Sequence, residues 1–113
     1  MVPTGAEVSF IEIGVSDPLK SRTFLEQMFG WSFHPFGPGA EGWFQTPSVK
    51  AGLHGGDPDW GFLVFFGVPD LQMAIADVNR LGGGTEAPTE EPGFGRFCVC
   101  RDRQGLRFGL HQP

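Results

Sequence analysis

One carboxylate, Glu12, interrupts an otherwise apolar stretch that includes Phe10, Ile11, Ile13 and Val15. A charge in such a setting is costly to bury unless it is paired, hydrogen-bonded or wet. Its functional readings are a base, a metal ligand or a substrate anchor. Its structural readings are a partner for Arg107 or an edge residue in solvent. As a base it would remove a proton next to a carbonyl, work that a carboxylate does best when burial tunes its pKa toward neutrality. His54 and His111 are the histidines that could join it; the competing reading leaves both at the surface, one beside Gly55-Gly56 and one near the chain end. His34, next to Pro35, reads as a surface residue. Phe10, Trp43, Trp60 and Phe65 could wall a site for a planar ligand, with core packing as the alternative in a chain holding 12 Phe and 3 Trp. No nucleophile elbow, phosphate loop or Cys–His pairing is visible. Ser16-Asp17 is explained by helix capping.

The elements that must position these residues occur twice. A gapless shift of 53 residues lays Asp17 on Asp70, Val15 on Val68, Gly14 on Gly67, Ile13 on Phe66, Leu25 on Val78 and Gly30 on Gly83. An internal repeat of this length fixes architecture before any single motif is weighed. The first copy predicts a strand over 7–15, with Ser9, Ile11, Ile13 and Val15 on one face and Phe10, Glu12 and Gly14 on the other. Asp17 and Pro18 predict a helix start, Phe24, Leu25 and Met28 its buried stripe, and Gly30 its stop. Strands are expected over 31–36, 42–46 and 49–54, and the turn Gly55 to Asp59 leads to the second copy. There, 60–68 is the repeated strand, and Asp70 caps a helix with Leu71, Ala74, Ile75, Val78 and Leu81 inward. Strands near 85–87, 95–101 and 106–111 complete the pattern. The whole reads βαβββ twice, an α+β chain with modules over about 7–54 and 60–111.

The chain of 113 residues suits one domain. Eighteen Gly and 10 Pro predict short elements joined by tight turns. A net charge of −5 with no basic stripe argues against a nucleic-acid partner. Residues 1–6 read as a short leader. Without a signal-peptide pattern or a membrane-length apolar run, the expectation is a soluble, cytoplasmic protein. Cys98 and Cys100 share one face of a strand, poorly placed to bond each other, and read as buried free thiols.

The paired βαβββ pattern, the Val-x-Asp-Pro-x-x-Ser helix start, LEQMFGW, and PGFGRFCVCRDRQGLRFGLHQP together resemble the vicinal oxygen chelate superfamily. That superfamily includes glyoxalase I, bleomycin-resistance proteins and extradiol dioxygenases. The resemblance covers the whole chain and is greatest to small glyoxalase-like proteins. It implies two modules forming a curved mixed sheet around a cavity, with the helices outside. Phe10, Glu12, Gly14, Leu63, Phe65, Gly67, Arg107, Gly109 and His111 would then face inward. Its usual metal ligands would fall at Phe10, Leu63 and Gly109, none of which offers a donor atom. The expectation is therefore no metal and no cofactor. A displaced set of Glu12, His54 and His111 is the alternative, and it would have to converge within about 2–2.3 Å of one ion.

The resulting expectation is a glyoxalase-like protein whose cavity binds a small organic ligand, with enzymatic activity left open. If it is an enzyme, Glu12 would be the catalytic base of a metal-independent lyase or isomerase. Phe10, Trp43, His54, Phe65, Arg107 and His111 would contact the ligand. The alternatives are a non-catalytic protein that sequesters an antibiotic and a scaffold with a filled core. A homodimer is expected, since exposed strand edges need covering.

Overall fold

The computed structural model describes residues 5–57 and 61–113, and its chain contacts divide it into two compact units. Trp60, the first four residues of the leader and Pro58-Asp59 of the linking turn lie outside the described residues.

One unit is Phe10–Leu63. Strand β1 (Val8–Gly14) enters it, followed by helix α1 (Pro18–Phe29) and strands β2 (Ser32–Pro35), β3 (Gly42–Gln45) and β4 (Lys50–His54). The strand order is β2-β3-β4-β1, antiparallel except where β4 meets β1 in parallel. Asp17 accepts from the Lys20 backbone N–H at 3.4 Å, and Gly30 ends the helix at φ 67°, a left-handed turn glycine makes without a Cβ penalty. Ile13, Leu25, Phe44, Ala51 and Leu53 are the buried core, with Ile11, Val15, Trp31 and Phe33 packed against it. The β3–β4 turn buries Thr46, whose hydroxyl donates to the Val49 carbonyl at 2.5 Å and accepts from the Val49 N–H at 3.0 Å.

The expected inner stripe of α1 needs correction. Leu25 is buried, but Phe24 is 65% and Met28 63% exposed. The inward positions are Ser21, Arg22, Leu25 and Glu26, which follow helical spacing and exclude 24 and 28. Arg22 pays for its place by pairing with Glu26 at 3.2 Å and lying 4.2 Å from the Phe33 ring centroid. A cleft of about 280 Å³ opens on this helix side, lined by Ile13, Val15, Phe24, Leu25 and Phe62 among others. Alternation along β1 turns Glu12 to the other face, away from that cleft.

The second unit joins residues 5–9 to Val64–Pro113. After β5 (Gly61–Gly67) come helix α2 (Leu71–Arg80) and strands β6 (Gly84–Thr85), β7 (Thr89–Glu91), β8 (Gly95–Arg101) and β9 (Arg107–Gln112). Strands run in the order β5-β9-β8-β6, with β7 also on β8 and the β5–β9 pair parallel. The short strand β7 adds one element to the expected pattern. Asp70 caps α2 by accepting from Met73 N–H at 3.1 Å, and the Gln112 side chain accepts from Leu71 N–H at 2.8 Å. Leu71, Cys98, Cys100 and Leu110 form the buried core under α2, with Ala74, Ile75 and Val78 beside them. Leu81, expected inward, lies past the helix end and is 61% exposed. The cysteines are free and buried, with their sulfurs 3.9 Å apart. Burial, with the neighbouring thiol, pushes the Cys100 pKa up to about 12. Among the described residues, no helix is long and apolar enough to cross a membrane.

Candidate functional site

On the face of the Phe10–Leu63 unit away from α1, β1 and β4 run side by side with Glu12 opposite Gly52 and Gly14 opposite His54. Parallel strands place these side chains on one surface. His54 lies between two carboxylates, its Nδ1 2.5 Å from Glu12 Oε1 and its Nε2 2.9 Å from Asp57 Oδ2. Both glycines are spatial requirements. A Cβ on Gly52 would meet Glu12 Oε2 and come within 3.0 Å of the Phe10 ring; one on Gly14 would run into the Asp57 carboxylate. Burial works against a charged His54 ring. The hydrogen bonds to Glu12 and then Asp57, with their negative charges, outweigh it and hold the pKa above the usual histidine range.

Trp43 pairs with Gly52 across β3 and β4, and with His34 across β2 and β3. Its indole stacks on His34, with centroids 4.1 Å apart and planes 15° apart, and Lys50 Nζ sits 4.6 Å from its ring centroid. The surface is therefore a row of Glu12, the Gly52 backbone, Trp43 and His34, with Lys50 to one side. His34 had no expected role, and its stacking follows from a cross-strand register that the sequence does not display. Asp57 was also missed. The one available signal was Gly-Gly between His54 and Asp57, a pair that lets the chain fold back within three residues.

In the other unit, His111 is only 6% exposed and both ring nitrogens are engaged. Nε2 lies 2.7 Å from the Phe94 carbonyl oxygen and Nδ1 3.0 Å from Ser9 Oγ. A carbonyl oxygen only accepts, so Nε2 carries the proton. The Phe94 ring stacks on the imidazole at 3.9 Å. Phe65, 4% exposed, packs edge-on against Phe94 and Phe97, over the place where a Gly109 side chain would stand. Arg107 opens β9 opposite Arg101.

No protein-family model and no curated protein matches the chain. Solved structures do match. A hypothetical protein from Bacillus halodurans superposes with a TM-score of 0.77 at 11% identity, over 97% of this chain and 96% of that one. Methylmalonyl-CoA epimerase from Mycobacterium tuberculosis gives 0.74 at 14% identity, over 100% and 93%. Homoprotocatechuate 2,3-dioxygenase from B. fuscum gives 0.71 at 18% identity, over 95% of this chain and 32% of that one. The epimerase and the dioxygenase are both vicinal oxygen chelate proteins. This chain has the vicinal oxygen chelate fold.

The metal centre associated with the vicinal oxygen chelate fold does not fit these residues. Phe10 and Leu63 have no donor atom, and the Phe65 ring covers Gly109. His54 and His111 each have both ring nitrogens hydrogen-bonded within their own units. Among the described residues, no group of three or more His, Cys, Asp or Glu is arranged to hold an ion.

Proposed function

We propose that this chain is a cytoplasmic protein that binds a small organic carbonyl compound on the Glu12 face of its Phe10–Leu63 unit, and that Glu12 removes a proton beside the carbonyl. Phe10, Trp43 and His54 supply the surrounding surface. One observation supports this most: the Glu12 carboxylate is held by His54, itself backed by Asp57, on a surface cleared by Gly14 and Gly52. In the step, the C–H bond breaks and an O–H bond forms on Glu12. The electron pair moves onto the carbonyl oxygen as an enolate. Return of the proton gives an isomerase; departure of a neighbouring group gives a lyase. An epimerase of an acyl thioester is among the proteins sharing the fold, which is in keeping with this chemistry.

The test is solvent exchange. Ketones, 2-keto acids and acyl thioesters are incubated in D₂O with the protein, and loss of the α-proton signal is followed by NMR. Wild-type protein should accelerate exchange for at least one class, and Glu12→Gln should remove about 10²-fold or more of that acceleration. Saturable binding without exchange would favour a sequestering protein, and neither binding nor exchange would overturn the proposal.

We also propose a homodimer. Leu19, Phe24, Met28 and Phe62 are each 58–65% exposed, an apolar surface that a second copy would cover.

A further inference from the structure

We infer that Asp57 is the positioning residue of this site: it fixes the His54 ring so that Nδ1 meets Glu12 and the two groups act as one acid–base pair. The inference rests on the proposed role of Glu12.

Carboxylate oxygens can only accept. Contacts at 2.5 Å to Glu12 and 2.9 Å to Asp57 therefore both place a proton on the imidazole side. One hydrogen bond leaves a half-exposed ring free to tilt about that contact; a second, on the opposite nitrogen, fixes its plane. The backbone delivers Asp57 to that second nitrogen. Val15 N–H donates to the His54 carbonyl at 3.1 Å, and Asp57 N–H donates to the Val15 carbonyl at 3.4 Å. Gly56 takes φ 69° to turn the chain back. Gly14 leaves the room that the Asp57 carboxylate occupies. The ionisable groups facing this turn are Glu12 from β1, Asp57 itself, and Glu41 ahead of β3, whose carboxylate accepts from Gly55 N–H at 2.8 Å.

When Glu12 takes the substrate proton, its Oε1 keeps the His54 contact. The imidazolium favours the carboxylate form, so it keeps Glu12 ionised before the step and favours return of the proton after it. Without Asp57, His54 would lose one of the two charges that keep it protonated, and with it the fixed approach to Glu12.

The test is a pH titration of the His54 ring by NMR on ¹⁵N-histidine protein, using wild type, Asp57→Asn, Asp57→Glu and Gly14→Ala. Asp57→Asn should lower the His54 midpoint by about one pH unit or more. Gly14→Ala should lower it too, since it displaces the carboxylate without removing it. Asp57→Glu should restore part of the shift. The pH profile of the exchange reaction should move with the midpoint. An unmoved His54 midpoint in folded Asp57→Asn and Gly14→Ala proteins would overturn the positioning role. Wild-type protein that shows the coupling but exchanges no α-proton would instead overturn the base role of Glu12.

Discussion

Protonation of His54 and the stability of its unit are linked through Glu12 and Asp57. The folded pKa lies above the ordinary histidine value near 6.5. The imidazolium contacts therefore stabilise the folded chain fully below about pH 6.5, while both carboxylates stay ionised, and less as pH rises through the folded value. Thermal melts of wild type against His54→Gln should differ most near pH 6 and converge toward pH 9. A difference that grows with pH would contradict the arrangement. Cys98 and Cys100 make a separate prediction. Burial raises the pKa of both thiols, and only the thiolate is nucleophilic, so a thiol reagent should label neither in native protein and both after denaturation. Rapid native labelling would place them at the surface. At this scale the sequence was partly readable. Glu12 stood out because a charge in an apolar strand needs a reason. Asp57 did not, because its role depends on a turn that returns it to His54. Ser9, grouped by alternation with Ile11 and Ile13, turns its hydroxyl to His111 102 residues away, a contact no local pattern displays.

Helix α1 separates pattern from packing. Leu25→Ala should cost about 2–5 kcal/mol, since it empties a buried site, whereas Phe24→Ala should cost less than about 1 kcal/mol. Denaturant melts with the reverse order would mean the helix is rotated. Three apolar residues in α1 predicted its inner stripe, but only one occupies it, because Arg22 and Glu26 fill inward positions as an ion pair against Phe33. Helix α2 was legible almost throughout, since its apolar positions recur at helical spacing. Both N-caps were readable for a simple reason: an aspartate side chain accepts from a backbone N–H three residues ahead, a strictly local interaction. The Gln112 contact with the start of α2 is the non-local counterpart. Gln112→Ala should lower stability by about 0.5–2 kcal/mol, the usual effect of losing a helix N-terminal hydrogen bond.

At the scale of the whole molecule, the repeat carried most of the fold, because two similar stretches in register leave few ways to pair their strands. The two contact-defined units divide inside β1 and inside β5. The homodimer is tested here: light scattering should give twice the chain mass at micromolar concentration, with Phe24→Lys and Phe62→Lys shifting it to monomer. A monomeric wild type would leave those apolar side chains without a second copy to cover them.

The contacts of residues 7–9 have a consequence in time. Glu7 accepts from Gly67 N–H at 2.8 Å, and Ser9 reaches Phe65 and His111. Within 10–63, β2, β3, β4 and α1 find their partners inside the segment. Residues 7–9 meet Phe65 and Gly67 of β5 some sixty residues downstream, and the Ser9 contact with His111 of β9 closes a loop of 102 residues, the costlier in loop entropy. Translation makes the contacts within 10–63 available before the Ser9–His111 contact, so hydrogen exchange during refolding should protect β3 and β4 before Ser9.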